Sequence, residues 1–186
     1  MDVDDAKIKA ARYGMLSEFA LLIAQADNLD QLLQKLTSNL KWLLSFERCA
    51  IAIRNEDGET FRYRTLAESR RNVPAYSDDA LPLENGASIA MSDSSKPRIL
   101  NQEEIAGNKP DDPVDPILWD GSLATLMLLP LKAYGETLGA LILGTSKREG
   151  YDSEDLRVGT TIATHLALAI ERWQQKVRQD FMRMIE

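Results

Sequence analysis

The chain has 186 residues, of which 44% are hydrophobic and 27% charged, so it contains enough apolar material for one globular domain with a core. Its net charge of -7, with no basic stripe, argues against nucleic acid and anionic membrane as partners. No apolar run is long enough to span a bilayer, and the N-terminus is too charged for a secretory signal, so we expect a cytoplasmic protein without a membrane span.

Helical periodicity marks the first part of the chain. Apolar residues recur at every third or fourth position from Ile8 to Ala26, and Asp27-Asn28 interrupts them and can cap a second helix. Between Asp30 and Ser45 one broad apolar face is formed by Leu32, Leu33, Leu36, Leu40, Leu43 and Leu44. The sequence therefore predicts a helical hairpin.

A strand pair is predicted after this hairpin. Residues 49–53 are short and apolar, as expected for a buried strand, and a turn ending in Asp57-Gly58 follows. Residues 60–65 then alternate with a period of two, which places their arginines on one face and Phe61 and Tyr63 on the other.

The middle of the chain is predicted to be mostly loop. Residues 68–86 are polar, a short helix is expected after Gly86, and residues 98–100 suit a short extended piece. Residues 101–120 are acidic and proline-containing, and they predict a long connection with short helical turns at most. Loops of this length often act as lids or binding loops.

The last part of the chain predicts a hairpin followed by a long helix. Residues 123–131 and 137–144 are apolar and are separated by a turn, while Asp152 or Ser153 can cap the helix. Its apolar seam, typical of a coiled coil or bundle, consists of Ala163, Leu166, Ile170, Trp173 and Val177. Helix pair, strand pair, loops, strand pair and long helix together indicate an α+β fold.

Four segments in this order resemble the GAF family, and the resemblance extends over residues 15–173. They are similar, in turn, to the family's helix-to-strand junction (LLSFERCAIAI, 43–53), its short helix and stop (LENG, 83–86, SIA, 88–90, and SKPRI, 95–99), its central hairpin (SLATLMLLPL, 122–131, and GETLGALIL, 135–143) and its closing helix (YDSEDL, 151–156, and IATHLALAIE, 162–171).

The resemblance implies a profilin-like antiparallel sheet of five or six strands. The N-terminal helices and the long C-terminal helix would cover one face, and the loop-rich middle would form a pocket on the other. GAF domains are sensory: they bind cyclic nucleotides, bilins, haem or small metabolites, or only dimerise. On this basis residues 1–14 are a helical extension, 15–173 the GAF domain, and 174–186 a signalling helix that leads to an output domain beyond this chain.

Four residues are the pocket candidates: Phe61, Tyr63, Ile99 and Trp119. Phe61 and Tyr63 share a strand face, and Trp119 ends the lid-like connection, where an aromatic ring can stack on a flat ligand. The alternative is that all four fill the core under the loop.

The sequence identifies no cofactor and argues against catalysis. Cys49 is the one cysteine and sits in a predicted strand, which argues against a covalent bilin and against the several-cysteine chemistry of the family's methionine sulfoxide reductases. His165 is the one histidine, which argues against haem and against a metal site. The cyclic-nucleotide constellation of the family is also missing.

The terminal helices are predicted to form a parallel homodimer of the bundle type. The interface candidates are Phe19, Leu22, Leu166, Ile170, Trp173 and Val177. The alternative is that both helices only cover the sheet of their own chain.

We therefore predict a non-catalytic sensory domain that binds a small molecule or a partner and regulates a downstream output through its terminal helices. The chain ends within a predicted helix without a capping glycine or proline, which we expect of a fragment of a longer protein. Residues 180–186 resemble the segment that leads into a histidine-kinase dimerisation helix, which favours a kinase of a two-component system as the output. The alternatives are a structural dimerisation module without a ligand and the input domain of a nucleotide cyclase or phosphatase.

Overall fold

A computed structural model of the chain describes residues 3–68, 81–82, 96–111, 113 and 115–185. It begins with two helices, α1 (Val3–Ala24) and α2 (Leu29–Leu40). The Asn28 side chain accepts a hydrogen bond of 2.9 Å from the Gln31 amide and caps α2, as the sequence predicted. The second helix ends at Leu40 rather than at Ser45, but Leu43 and Leu44 remain buried in the same core.

Among the described residues, six antiparallel strands form one sheet, which confirms the predicted five or six. The strands are β1 (Arg48–Arg54), β2 (Thr60–Glu68), β3 (Leu81–Pro82), β4 (Arg98–Asn101), β5 (Thr125–Ala133) and β6 (Glu136–Thr145). Their order in the sheet is β3-β2-β1-β6-β5-β4. The two-residue β3 lies inside the segment predicted to be loop, and the helix predicted after Gly86 lies outside the described residues.

The acidic connection contains two short helical pieces, as expected. Helix α3 (Gln102–Gly107) begins with a capping box between Asn101 and Glu104, and a 3-10 helix (Pro116–Leu118) is capped by Asp115. The last helix, α4 (Ser153–Ile185), has 33 residues, and Asp152 accepts a hydrogen bond of 2.8 Å from the Asp155 amide at its start.

The sheet separates two apolar cores, because alternate side chains of each strand point to opposite faces. On one face, Ile51, Met127 and Leu129 belong to the core that α1, α2 and α4 cover. Helix α4 approaches this face closely at Gly159, where an added Cβ would lie 2.8 Å from the Met127 sulfur. The opposite face forms a second core with α3 and the 3-10 helix, so the predicted layers are confirmed.

Helices α1 and α4 run parallel and are joined by polar contacts at two levels. Arg12, in the middle of α1, pairs with Asp155 in the first turn of α4 at 2.5 Å, and further along Arg172 donates to the carbonyl of Ala24 at the end of α1 at 3.0 Å. None of the helices in the described parts of the chain combines the length and apolar character needed to cross a bilayer.

Gly139 allows β1 and β6 to pair in the centre of the sheet. A Cβ at this position would overlap with the Ala52 carbonyl oxygen of the neighbouring strand. We expect Gly139→Ala to lower the free energy of unfolding by at least about 2 kcal/mol, because a backbone clash of this kind cannot relax by rotating a side chain. The measurement is urea unfolding followed by circular dichroism.

Gly14→Ala is the matched control, since nothing lies within 4 Å of a Cβ added there on the exposed face of α1. It should stabilise the chain by about 0.5 to 1 kcal/mol. Equal effects of the two substitutions would contradict the proposed close pairing at Gly139.

Candidate functional site

Three of the four predicted pocket residues come together on the loop-facing side of the sheet. Phe61 and Tyr63 are 0% and 3% exposed and project from the same face of β2. Trp119, 8% exposed, follows the 3-10 helix and belongs to the same core. We refer to these three residues of the loop-facing core as the aromatic floor.

Ile99 does not join this floor. It is half-buried and packs against the helix-covered core on the opposite face, whereas its neighbour Leu100 belongs to the loop-facing core. The reason is the register of β4, which pairs Ile99 with Met127 of the helix-covered core and Leu100 with Leu126 of the loop-facing core. Neighbouring residues of a strand point to opposite faces.

A buried polar network, which no local pattern in the sequence predicts, borders the aromatic floor. Arg48 and Asp115 are 0% and 2% exposed, and the Arg48 Nε and Nη2 atoms lie 2.8 and 2.7 Å from Asp115 Oδ2. The Tyr63 hydroxyl donates to the same oxygen at 2.5 Å, and Arg48 Nη2 also donates to Thr65 Oγ1 at 3.0 Å.

This network fastens the acidic connection to the sheet. Asp115 also accepts a hydrogen bond from the Ile117 amide, so one carboxylate caps the 3-10 helix and neutralises the buried guanidinium of β1. A buried charge is tolerated only when it is paired and hydrogen-bonded. The position of Trp119, four residues after Asp115, is therefore fixed relative to Tyr63.

Asp115→Ala should lower the free energy of unfolding by about 3 to 5 kcal/mol, because it leaves the buried charge of Arg48 without this partner. Asp111→Ala is the matched control: it removes an exposed aspartate from the same connection and should change stability by less than about 0.5 kcal/mol. Urea unfolding measures both values. A similar loss in the two variants would contradict the structural role of the network. A double Arg48→Met, Asp115→Leu variant removes both charges and should be more stable than Asp115→Ala. If it is not more stable, the structural role is also contradicted.

Cys49 and Tyr151 are buried on the helix-covered side and are not activated for chemistry. Burial raises the pKa of the Cys49 thiol, and burial also raises the pKa of the Tyr151 hydroxyl. The Tyr151 hydroxyl has no hydrogen-bond partner among the described residues. Both groups are therefore neutral near pH 7, and a neutral thiol is a poor nucleophile.

The single histidine lies away from the aromatic floor. His165 is half-buried on α4, on the opposite side of the sheet from the aromatic floor. Within the described ranges, no three histidine, cysteine, aspartate or glutamate side chains are grouped so as to hold a metal ion.

The predicted interface residues divide into two sets. Phe19, Leu166 and Ile170 are buried in the core of their own chain and therefore offer no free surface. Leu22 and Trp173 are half-buried and Val177 is exposed. The reason is that α4 uses the first half of its apolar seam to cover the sheet, so only the second half remains accessible.

A groove of about 750 Å³ lies where α4 leaves the sheet. The start of α2, the β1–β2 hairpin and the second half of α4 surround it, and Trp173 and Val177 line one wall. The sequence analysis placed these two side chains at a dimer interface. In the structure of the single chain they line this groove together with the chain's own hairpin.

The fold and site define a small α+β domain whose single sheet buries a separate core on each face. The chain belongs to the GAF domain family, whose model matches residues 26–171. This result confirms the resemblance found in the sequence. GAF domains are regulatory modules, and the chain is therefore a sensory or regulatory domain.

Solved structures share the fold at low sequence identity. The GAF domain of an Acinetobacter phosphoenolpyruvate-protein phosphotransferase has a TM-score of 0.69 at 12% identity, with 89% of this chain and 95% of that chain covered. The corresponding Coxiella burnetii domain gives 0.68 at 19% identity (90% and 96% covered). The GAF domain of a Bacillus halodurans two-component sensor histidine kinase gives 0.64 at 16% identity (81% and 99% covered). No curated protein sequence matches the chain significantly.

Proposed function

We propose that the chain is a sensory input domain that binds a small, mainly apolar molecule above the aromatic floor and passes the signal on through α4. The observation that carries the proposal is the form of α4, a single uninterrupted helix that is buried at one end and exposed at the other. From Ile170 to Ile185 it extends about 22 Å past its last fully buried residue. A rigid helix of this kind suits transmission of a rotation or a shift.

The sheet offers a physical connection between the two faces. Strand β5 contributes Leu126 and Leu128 to the loop-facing core and Met127 and Leu129 to the helix-covered core. Gly159 brings α4 directly onto Met127 and Leu129. Because protein interiors are densely packed, a displacement of β5 on one side must be accommodated on the other.

The ligand class follows from the floor. Phe61 and Trp119 supply apolar, aromatic side chains, and the network of Arg48, Tyr63 and Asp115 supplies polar groups beside them. Pockets for small molecules usually combine mainly apolar walls with a few fixed polar groups. A flat, mainly apolar molecule with one polar substituent suits this combination.

A histidine kinase is the output that we favour. The Bacillus halodurans domain with the same fold belongs to a two-component sensor histidine kinase, and residues 180–186 of this chain resemble the approach to a kinase dimerisation helix. The proposed division is a GAF domain at residues 15–173 with a signalling helix at 174–186. Such a helix could connect the domain to a cyclase or a phosphatase output in the same way.

The ligand proposal is tested with a variant in which Trp119 is the only tryptophan, made by changing Trp42 and Trp173 to Phe. A small-molecule screen should give compounds that raise Tm with concentration and change Trp119 fluorescence. Hydrogen exchange should then slow in β2 and change in residues 172–185 of α4, because a transmitted signal must reach the exposed end of the helix.

The matched control carries the further change Trp119→Leu, which removes the stacking ring and should weaken binding of the same compounds. Compounds that raise Tm without any change in the exchange of α4 would contradict transmission. A screen in which no compound raises Tm would contradict the ligand proposal itself.

A second candidate function, dimerisation, is favoured by two exposed leucines. Leu21 on α1 and Leu168 on α4 are 63% and 44% exposed, and both lie at a similar level just before the contact between Ala24 and Arg172. Apolar side chains at matching levels of two parallel helices suit a four-helix interface with a second copy of the chain.

A double Leu21→Glu, Leu168→Glu variant should therefore be monomeric, whereas the unmodified chain should show twice the chain mass of 20.8 kDa in light scattering. Trp42→Glu is the control, because Trp42 is also a large exposed side chain but follows α2 rather than lying on α1 or α4. A monomeric unmodified chain, or a dimer that survives the double change and is lost in the control, would rule out this interface.

A further inference from the structure

A groove on the helix-covered face, separate from the aromatic floor, has the composition of a binding site for an amphipathic anion. Its apolar wall includes Ile51, Ile53, Trp173 and Val177, and its volume of about 750 Å³ lies within the range of roughly 300 to 1,000 Å³ typical of small-molecule sites. From Trp173 to Phe181 the helical wall spans about 12 Å. The groove is therefore an elongated apolar trench.

The charges at its border are predominantly positive. Four arginines line the groove together with only two carboxylates, although the chain as a whole has a net charge of -7. The groove is therefore an attractive site for an anion on an otherwise acidic protein.

Strand pairing places the charges beside the apolar floor. In the register of β1 and β2, Ile53 lies opposite Arg62 and Ile51 opposite Arg64. Side chains opposite each other on one face of a sheet are close neighbours. A molecule with its tail on the two isoleucines would therefore bring its head group to the two guanidinium groups.

Arg62 is the guanidinium best placed for a ligand. Arg64 pairs with Asp30 at 3.4 Å, and Arg178 pairs with Glu56 at 3.6 Å. The Arg62 side chain is exposed and forms no hydrogen bond or ion pair within the part of the chain that the structure describes. A guanidinium binds a carboxylate through two parallel hydrogen bonds.

We propose that the groove binds a free long-chain carboxylate, with its alkyl chain against Ile51, Ile53, Trp173 and Val177 and its carboxylate on Arg62. Such a ligand would bridge the β1–β2 hairpin and the exposed half of α4. It would thus hold the position of this helix directly, without involving the ligand proposed for the opposite face.

The test is calorimetric titration of the unmodified chain with sodium dodecanoate below its micelle concentration. We expect saturable binding of one molecule per chain, much weaker binding of dodecyltrimethylammonium, and a fluorescence change in a variant that keeps Trp173 as its one tryptophan. Arg62→Gln should weaken dodecanoate binding at least about tenfold through loss of a charge-assisted contact. Val177→Glu should weaken it similarly by placing a negative charge on the apolar wall.

Arg157→Gln is the matched control, because it removes the same charge from the other end of α4, where the side chain is 70% exposed, and it should leave binding unchanged. Circular dichroism and Tm of each variant establish that it is folded. Equal binding of the two surfactants, or binding that Arg62→Gln does not weaken, would overturn the proposal. Binding only to phosphatidylglycerol vesicles would also overturn it, since the groove would then be a membrane-binding site. A dimer that Val177→Glu converts to monomers would overturn it as well, since the groove would then be occupied by a second copy of the chain.

Discussion

The structure depends on one constraint, which is that a single layer of sheet must bury both of its faces. Strands β5 and β6 are apolar at nearly every position, so alternate side chains along each strand can be buried in the two different cores. A shift of one residue in the register of either strand would exchange the two cores completely. The same strands are therefore the shared boundary of the helix-covered side and the loop-facing side.

Shared strands give the domain a way to connect a binding event with its exposed helix. Met127 and Leu129 approach α4 at Gly159, and Leu126 and Leu128 alternate with them along β5 and point to the other side. A ligand can shift the balance between two arrangements of this packing only if it binds one of them better than the other. The fixed floor beside Asp115 suits such discrimination, because its groups are held in place by buried hydrogen bonds.

Local sequence patterns predicted the helices and strands well, but they did not predict side-chain pairs that are distant in sequence. The caps at Asn28 and Asp152 and the alternation of Phe61 and Tyr63 are visible within a few residues of sequence, and the structure has all of them. Arg48 and Asp115, however, are 67 positions apart, and no local pattern links them. Ile99 was misplaced because a four-residue strand is too short for its periodicity to identify a face.

The apolar seam of α4 illustrates why burial within a chain and contact between chains look alike in sequence. Leu166 and Ile170 face the sheet, while Val177 continues the same spacing beyond it. The exposed half of the helix is joined to the β1–β2 hairpin by the ion pair between Arg178 and Glu56, in which both side chains are more than half exposed. Exposed ion pairs of this kind contribute at most about 1 kcal/mol to stability. This pair therefore holds the exposed half of α4 in position only weakly. A ligand or a second chain that contacts it with even modest preference can therefore move it, which is the property that a regulatory helix requires.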